Sequence, residues 1–331
     1  MAFDHVAFLV PGNYAEEDPF AGLEATLRLF ELGERLGYDS GWVRQRHLER
    51  GISSAATFLA AASQRTRSIG LGTAVIQLGY EHPFRLAEDL ATVDVLSRGR
   101  LNVGVSVGPP PFAALIGGYP AEADYGHARA EELARLIASP LLSPEEVAGN
   151  AAGAQPPRLQ PVARGLAQRL WYGGGSQRSA AWAGGAGFHL LTGNIVSGED
   201  TDDFLTAQRR LIDTYRRAGG TRIGLGRVIL PTDSADFAAR RRYADFARSR
   251  QARTRAPQGA RRTLFLPDIV GTVEEIAAAL SRDPVAAVSR ELRLELPYEF
   301  AVEDYEQILT EMAKLLPERS GVDQMKQKEA I

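Results

Sequence analysis

Short apolar runs alternate with longer amphipathic stretches along almost the whole chain. Phe3–Val10 (FDHVAFLV) has the apolar density of a buried strand. In the stretch from Phe20 to Leu36, Leu23, Leu27, Phe30 and Leu32 recur at helical spacing, and Gly37 follows as a C-cap residue. YDSGWV (38–43) then reads as a strand, 54–64 as a helix, and SIGLGTAVI (68–76) as the next strand. A helix over 82–96 stops at the turn SRGR (97–100), LNVGVSV (101–107) is a strand, and 122–138 is helical.

The second half repeats the rhythm after a Pro-, Gly- and Ala-rich stretch at 140–161, which marks an excursion near 139–168 rather than core. RLWYGG (169–174) and 188–191 read as strands with a helix from Ser176 between them. A helix over 202–218 leads to the strand RIGLGRVIL (222–230). GTVEEIAAAL (271–280), ELRLEL (291–296) and VEDYEQILTEMAKLL (302–316) form a last helix, strand and helix. Such alternation requires a parallel sheet covered by helices. A closed barrel and an open doubly wound sheet both satisfy it. No G-x-G-x-x-G opens the first helix, and the length suits eight βα units, so the reading is α/β: a single (β/α)8 TIM barrel over 1–316 with a flexible polar tail at 317–331.

Composition narrows the classes without changing that picture. The 331 residues carry 38 Lys+Arg against 41 Asp+Glu, a net charge of -3 that gives no basic excess for nucleic acid. No run approaches the roughly 20 apolar residues of a membrane span, and the N-terminus lacks the basic region of a signal peptide, so a soluble cytoplasmic protein is expected. With no cysteine there is no thiolate ligand or nucleophile, and the five histidines form no metal-binding pair. A Schiff-base lysine is equally poorly supported, because the lysines stand only at 314, 326 and 328.

In a barrel the chemistry lies where strands end: Val10–Gly12, Arg46–His47, Ala74–Gln77, Ser106, Gly173–Ser176, Thr192–Asn194 and Leu230–Pro231. The most informative signal is WYGGGSQRSAAW (171–182). A strand there runs into three glycines and then a helix start carrying Ser176, Gln177, Arg178 and Ser179. Glycines admit close backbone approach, and amides at a helix N-terminus attract an anion such as phosphate. The same pattern also describes an ordinary Ser-capped helix after a glycine turn. His47 follows a strand beside Arg46 and reads as either a loop histidine or a proton carrier.

The block GTAVIQLGYEHPFRLAEDLATVDVLSRGRLNVGVSVG (72–108) resembles the bacterial luciferase-like, flavin-dependent monooxygenases. Its H-P-x-R-x-A-E-D at 82–89 and V-D-x-L-S-x-G-R at 93–100 carry the likeness, which extends from Phe3 to about Leu316. The resemblance implies a barrel that binds reduced FMN (FMNH2) and reacts it with O2, by way of a flavin C4a-peroxide, to oxygenate a small organic substrate. A separate flavin reductase would supply the cofactor. It places Ala74 and Val75 at a non-proline cis peptide against the flavin ring and Ser106 on a ring-facing strand end. Gly175, Ser176 and Ser179 fall at the family's phosphate-binding positions, in the same turn as Gly174, Gln177 and Arg178 and with Tyr172 nearby.

Two departures stand out. The family's E-H-H-F segment reads Gln45-Arg46-His47-Leu48 here, so His47 is left as the candidate proton carrier with Arg46 as its electrostatic partner. A phosphate-holding arginine expected after Ser106 is Val107, and Arg178 is the residue that could replace it. Deazaflavin F420 chemistry on the same fold and a non-catalytic flavin-binding role therefore remain open alternatives. The apolar helix 54–64 suggests a homodimer. Arg240–Arg262, with nine arginines against one acid, suggests a mobile lid, disordered by self-repulsion until an anion is present.

Overall fold

The computed structural model describes residues 3–145, 147–148, 153–298 and 300–317. Eight strands close into a barrel: β1 (His5–Val10), β2 (Ser40–Val43), β3 (Gly70–Gln77), β4 (Leu101–Ser106), β5 (Leu170–Gly173), β6 (His189–Thr192), β7 (Ile223–Arg227) and β8 (Arg290–Glu295). Every strand pairs parallel to both neighbours, and β1 closes the ring against β8 with His5, Ala7 and Leu9 beside Glu291, Arg293 and Glu295. The helices α1 (Pro19–Leu36), α2 (Ala55–Arg65), α3 (Pro83–Leu96), α4 (His127–Ile137), α5 (Gln177–Gly185), α6 (Phe204–Arg217), α7 (Val273–Arg282) and α8 (Val302–Met312) each follow one strand. The fold is the (β/α)8 barrel that the alternation predicts.

Local chemistry sets the helix ends. Asp18 accepts from the Ala21 amide and Pro19 opens α1, while Gly37 and Tyr38 donate back to Glu34 and Gly33 to close it. The motif V-D-x-L-S-x-G-R is structural. Asp94 holds Arg169 with two bonds of 2.8 and 3.0 Å, and the Arg100 guanidinium donates to the carbonyls of Ser63, Thr66, Ile69 and Ser97. Those bonds satisfy acceptors left over at the ends of α2 and α3.

Period-two alternation divides the apolar residues into two cores. Phe8, Leu71, Leu190 and Leu225 face outward into the layer under the helices, whereas Ala7, Leu9, Trp42, Trp171 and Leu191 fill the barrel lumen. Trp42 and Trp171 meet edge to face, with centroids 5.6 Å apart at 89°. Charge brackets this lumen core. Arg222 pairs with Glu291 at one end, and Arg293 with Glu295 at the other.

Four expectations need correction. Residues 122–126 are not helical; α4 begins only after Gly126, and the chain before it turns through Gly117 and Gly118, both at positive φ. The expected strand 222–230 divides at Val228. Ile229–Pro231 leaves the barrel to pair with Ile269–Gly271, so Leu230 and Pro231 do not end a barrel strand. The apolar positions of α2 are used within the chain, where Phe58, Leu59 and Ala62 are buried, so they offer no interface argument. The arginine-rich segment is also ordered: Phe237–Arg250 is a helix and Gln251–Thr254 a 3-10 turn. Self-repulsion fails as an argument because acids elsewhere pair with it: Asp304 with Arg242, Asp268 with Arg250 and Asp202 with Arg262. The segment's end, Thr263–Phe265, pairs antiparallel with Ile195–Ser197.

Between α4 and β5 the excursion carries only the two-residue pair Val147–Ala148 with Ala154–Gln155 and a 3-10 turn at Leu166–Arg169 among the described residues. The tail beyond Pro317 lies outside the described residues. Among them no helix is long and apolar enough to cross a membrane.

Candidate functional site

A cavity of about 390 Å³ opens at the C-terminal end of the barrel, between the ends of β2, β3, β5, β6 and β8. One wall is the turn Gly173–Gly175, which leads into α5. Ser176 caps this helix: its Oγ accepts from the Ser179 amide at 3.2 Å, and Ser179 Oγ accepts in return from the Ser176 amide at 3.1 Å. A Cβ on Gly174 would stand 2.9 Å from Leu190, so the turn keeps its close course only with glycine there. The Gln177 amide donates to the carboxylate of Glu199 at 3.0 Å. An anion therefore already sits at this helix start, as the dipole and the N–H groups favour. Arg178 is exposed, and its charge contributes to lowering His127, behind burial as the larger cause; it does not line the cavity.

The second wall comes from β3. Ala74 and Val75 line the cavity and are joined by a cis peptide, and the β3–β4 register shifts between Thr73 and Ile76. Gln77 also lines the cavity; Ser106, its register partner on β4, is half-buried and does not.

The end of β2 separates the residues expected to act together. Trp42 faces the lumen, and Arg44, Gln45 and Arg46 in succession line the cavity, whereas His47 does not. Arg46 does not partner His47: its Nε and Nη2 donate to the Tyr298 hydroxyl at 3.0 and 2.8 Å. His47 lies outside the cavity lining, with its ring over Tyr80 at a centroid distance of 4.0 Å. Between them Gln45 is buried and fixed. Its Oε1 accepts from the Ala55 amide, so its Nε2 donates both to Glu81 at 2.7 Å and to His47 Nε2 at 3.2 Å. That makes His47 Nε2 an acceptor and the ring neutral. Burial lowers the His47 pKa below the ordinary histidine value, against the pull of Glu81.

Tyr172 is a further correction. It is the neighbour of inward-facing Trp171 and so points outward, where its hydroxyl meets His127 Nε2 at 3.1 Å and its ring packs on Trp182. Burial pushes its pKa up to about 12. It belongs to the layer between barrel and helices.

Of the lining residues that the sequence did not single out, Leu9, Leu191 and Ile195 are apolar and three are charged: Arg44, Arg293 and Glu295. Glu295 accepts from Arg44 Nη2 and from Arg293 Nη2, each at 3.2 Å. A Cβ on Gly226 would overlap the Glu295 carboxylate, which explains the glycine opposite it. The signal was present in RELRLE (290–295): charges at 291, 293 and 295 alternate with leucines, so a strand with a leucine face outward must carry its charges inward. Among the described residues no cluster of three or more His, Asp or Glu is placed to hold a metal ion.

A parallel eight-stranded barrel with a mouth cavity and an anion-accepting helix start defines a class of small-molecule enzyme folds. The chain belongs to the luciferase-like monooxygenase family, whose model matches residues 1–322. It is 41% identical over 107 residues to 4-hydroxyprotoasukamycin monooxygenase of Streptomyces nodosus subsp. asukaensis, 32% of this chain and 29% of that protein. It is 40% identical over 108 residues to limonene 1,2-monooxygenase of Rhodococcus erythropolis, 32% of this chain and 28% of that one. The chain thus spans under a third of the length of these curated relatives. Among solved structures, the fold matches the oxygenating constituent of 3,6-diketocamphane monooxygenase of Pseudomonas putida, in complex with FMN, with TM-score 0.69 and 16% identity over 96% of this chain and 100% of that one. An F420-dependent secondary alcohol dehydrogenase matches with TM-score 0.63 and 16% identity over 96% and 99%.

Proposed function

We propose that this chain is the oxygenase of an FMNH2-dependent monooxygenase, with FMN in the barrel-mouth cavity and its phosphate at the Gly173–Ser179 turn. The observation that supports this reading is one cavity that runs from the Gly173–Gly175 turn to Ala74 and Val75; Ser176, Gln177 and Ser179 follow that turn outside the lining, at a helix start where the Gln177 amide already holds the Glu199 carboxylate. Ser176, Ser179 and the backbone of Gly174 and Gly175 would hold the phosphate, and Ala74 and Val75 would support the ring. Reduced flavin supplies the electrons and the oxygen-activating carbon. The chain's own contribution is shielding and orientation: Leu9, Leu191, Val75 and the Trp42–Trp171 pair keep water from the inner face of the cavity.

Arg44 and Arg46, which line the cavity, are the charged groups of the β2 end placed to meet ligand, while His47 packs on Tyr80 outside the cavity lining. Both curated relatives are monooxygenases by name, which supports FMN with O2 over hydride transfer with F420. A separate reductase accords with a neighbour described as an oxygenating constituent; a cytoplasmic homodimer rests on the family likeness alone, since α2 gives it no support. Parallel titration with FMN and F420 tests the cofactor, followed by oxygen uptake with supplied FMNH2. Saturable quenching with FMN and none with F420 is expected; saturation with F420 alone would refute the reading.

A further inference from the structure

Charge in the cavity does not balance. Arg44, Arg46 and Arg293 line it, and the single acid among the lining residues is Glu295. That carboxylate is shared between Arg44 and Arg293 at 3.2 Å each, so it neutralises one guanidinium and leaves the other. Arg293 is 6% exposed and stands over the Trp42 ring at 5.7 Å, and its Nε has no hydrogen-bond partner among the described residues. Arg46 has a phenol hydroxyl for its two bonds, and its nearest carboxylate, Glu49, is 3.9 Å away and half-exposed. The Tyr298 ring lies under both Arg44 and Arg46, at 4.9 and 5.6 Å, which holds these guanidiniums side by side. Glu295 thus serves two guanidiniums, and Arg46, one-third exposed, has only the long ion pair to Glu49 outside the cavity lining. A buried guanidinium that shares its counter-charge is costly, so a cavity lined by three arginines and one acid is suited to receive an anion.

We propose that the barrel mouth recognises an organic carboxylate, with Arg44 and Arg46 forming the carboxylate-binding wall and Arg293 supplying charge from beneath. Naming that anion as the substrate rests on the flavin reading above. Guanidinium N–H forks match a carboxylate with two parallel bonds, a geometry that one lysine could not supply. Arg44 and Arg46 stand two residues apart beyond β2, and both line the cavity.

The test compares benzoate with benzamide, which share shape and differ in charge, by titration against tryptophan fluorescence of the FMN-loaded and flavin-free chain. Benzoate is expected to bind about tenfold or more tighter than benzamide. The preference should fall toward unity in Arg46→Gln and in Arg44→Gln. Arg46→Gln alters the more exposed of the two arginines and so guards against a misfolded Arg44 variant. Equal affinity of the two probes for the wild-type chain, or a preference unchanged in Arg46→Gln, would overturn the proposal. A reduction potential of bound flavin that falls in the variants while the benzoate preference stays would also overturn it, assigning the arginines to reduced flavin. Benzoate preference in the flavin-free chain with no FMN binding would support the carboxylate site while refuting the flavin reading.

Discussion

His47 and Glu199 illustrate how single side chains set the properties of this site. Burial keeps His47 neutral, so its contribution to stability is complete above the unfolded value of about 6.5 and is lost as pH falls through its lower folded value. Melting temperature between pH 7 and 5 should therefore fall less steeply in His47→Gln than in wild type; parallel slopes would contradict it. His127 and His189, lowered in the same direction, and Asp268, pushed up to about 6 with the opposite sign, are common to both proteins and cancel in the comparison. Glu199 holds the amide that a phosphate would use. Glu199→Gln should tighten FMN binding two- to fivefold, from about 0.3–1 kcal/mol of removed charge at a helix start, and a weaker complex would contradict its placement. At this scale the turn residues were legible because Gly-Gly-Gly-Ser is a local pattern. The inward charges of Arg293 and Glu295 are legible in RELRLE, but their meeting with Arg44 is not, because it depends on strands 251 residues apart closing the barrel.

The strands and helices were more legible than the side-chain pairings, and the errors have physical causes. Period and caps located every barrel strand. Val228 gave no local sign that the chain leaves the barrel, because Ile229 and Leu230 remain buried in a second layer. The order of the arginine-rich segment is not legible locally because its counter-charges come from a distance, Asp304 and Asp268 for the helix and Asp202 for Arg262 beyond it. Brief trypsin digestion should cut after Arg255 or Arg261, outside the helix Phe237–Arg250, before it cuts within that helix; first cleavage at Arg240–Arg242 would contradict its order. Arg227, at the end of β7, is fully buried and donates to Asp283 at 2.9 and 2.7 Å and to Gln208 at 2.8 Å. Arg227→Met strands Asp283 and should lower unfolding free energy by about 3–5 kcal/mol in urea denaturation. An unchanged midpoint would show that the pair does not tie β7 to the end of α7.

For the whole molecule, a net charge of -3 conceals a barrel mouth with three arginines and one acid, so bulk composition could not have indicated an anionic ligand. The family was legible from residues 72–108, yet most of that block builds the scaffold: Asp94, Ser97 and Arg100 tie helices to strands, and Ala74, Val75 and Gln77 are its cavity-lining residues. Family membership and site chemistry therefore rest on different residues, and the flavin assignment has to be tested at the turn itself. Fluorescence-quenching titration of FMN against wild type and Ser176→Asp does so directly. Aspartate remains a good N-cap, so α5 is retained while a negative charge is placed where the proposal puts the phosphate. The account predicts saturable FMN binding to wild type and at least about tenfold weaker binding to Ser176→Asp, because a hydroxyl that would donate to the phosphate is replaced by a carboxylate that would repel it. Equal FMN affinity in the two proteins, with unchanged circular dichroism, would contradict it.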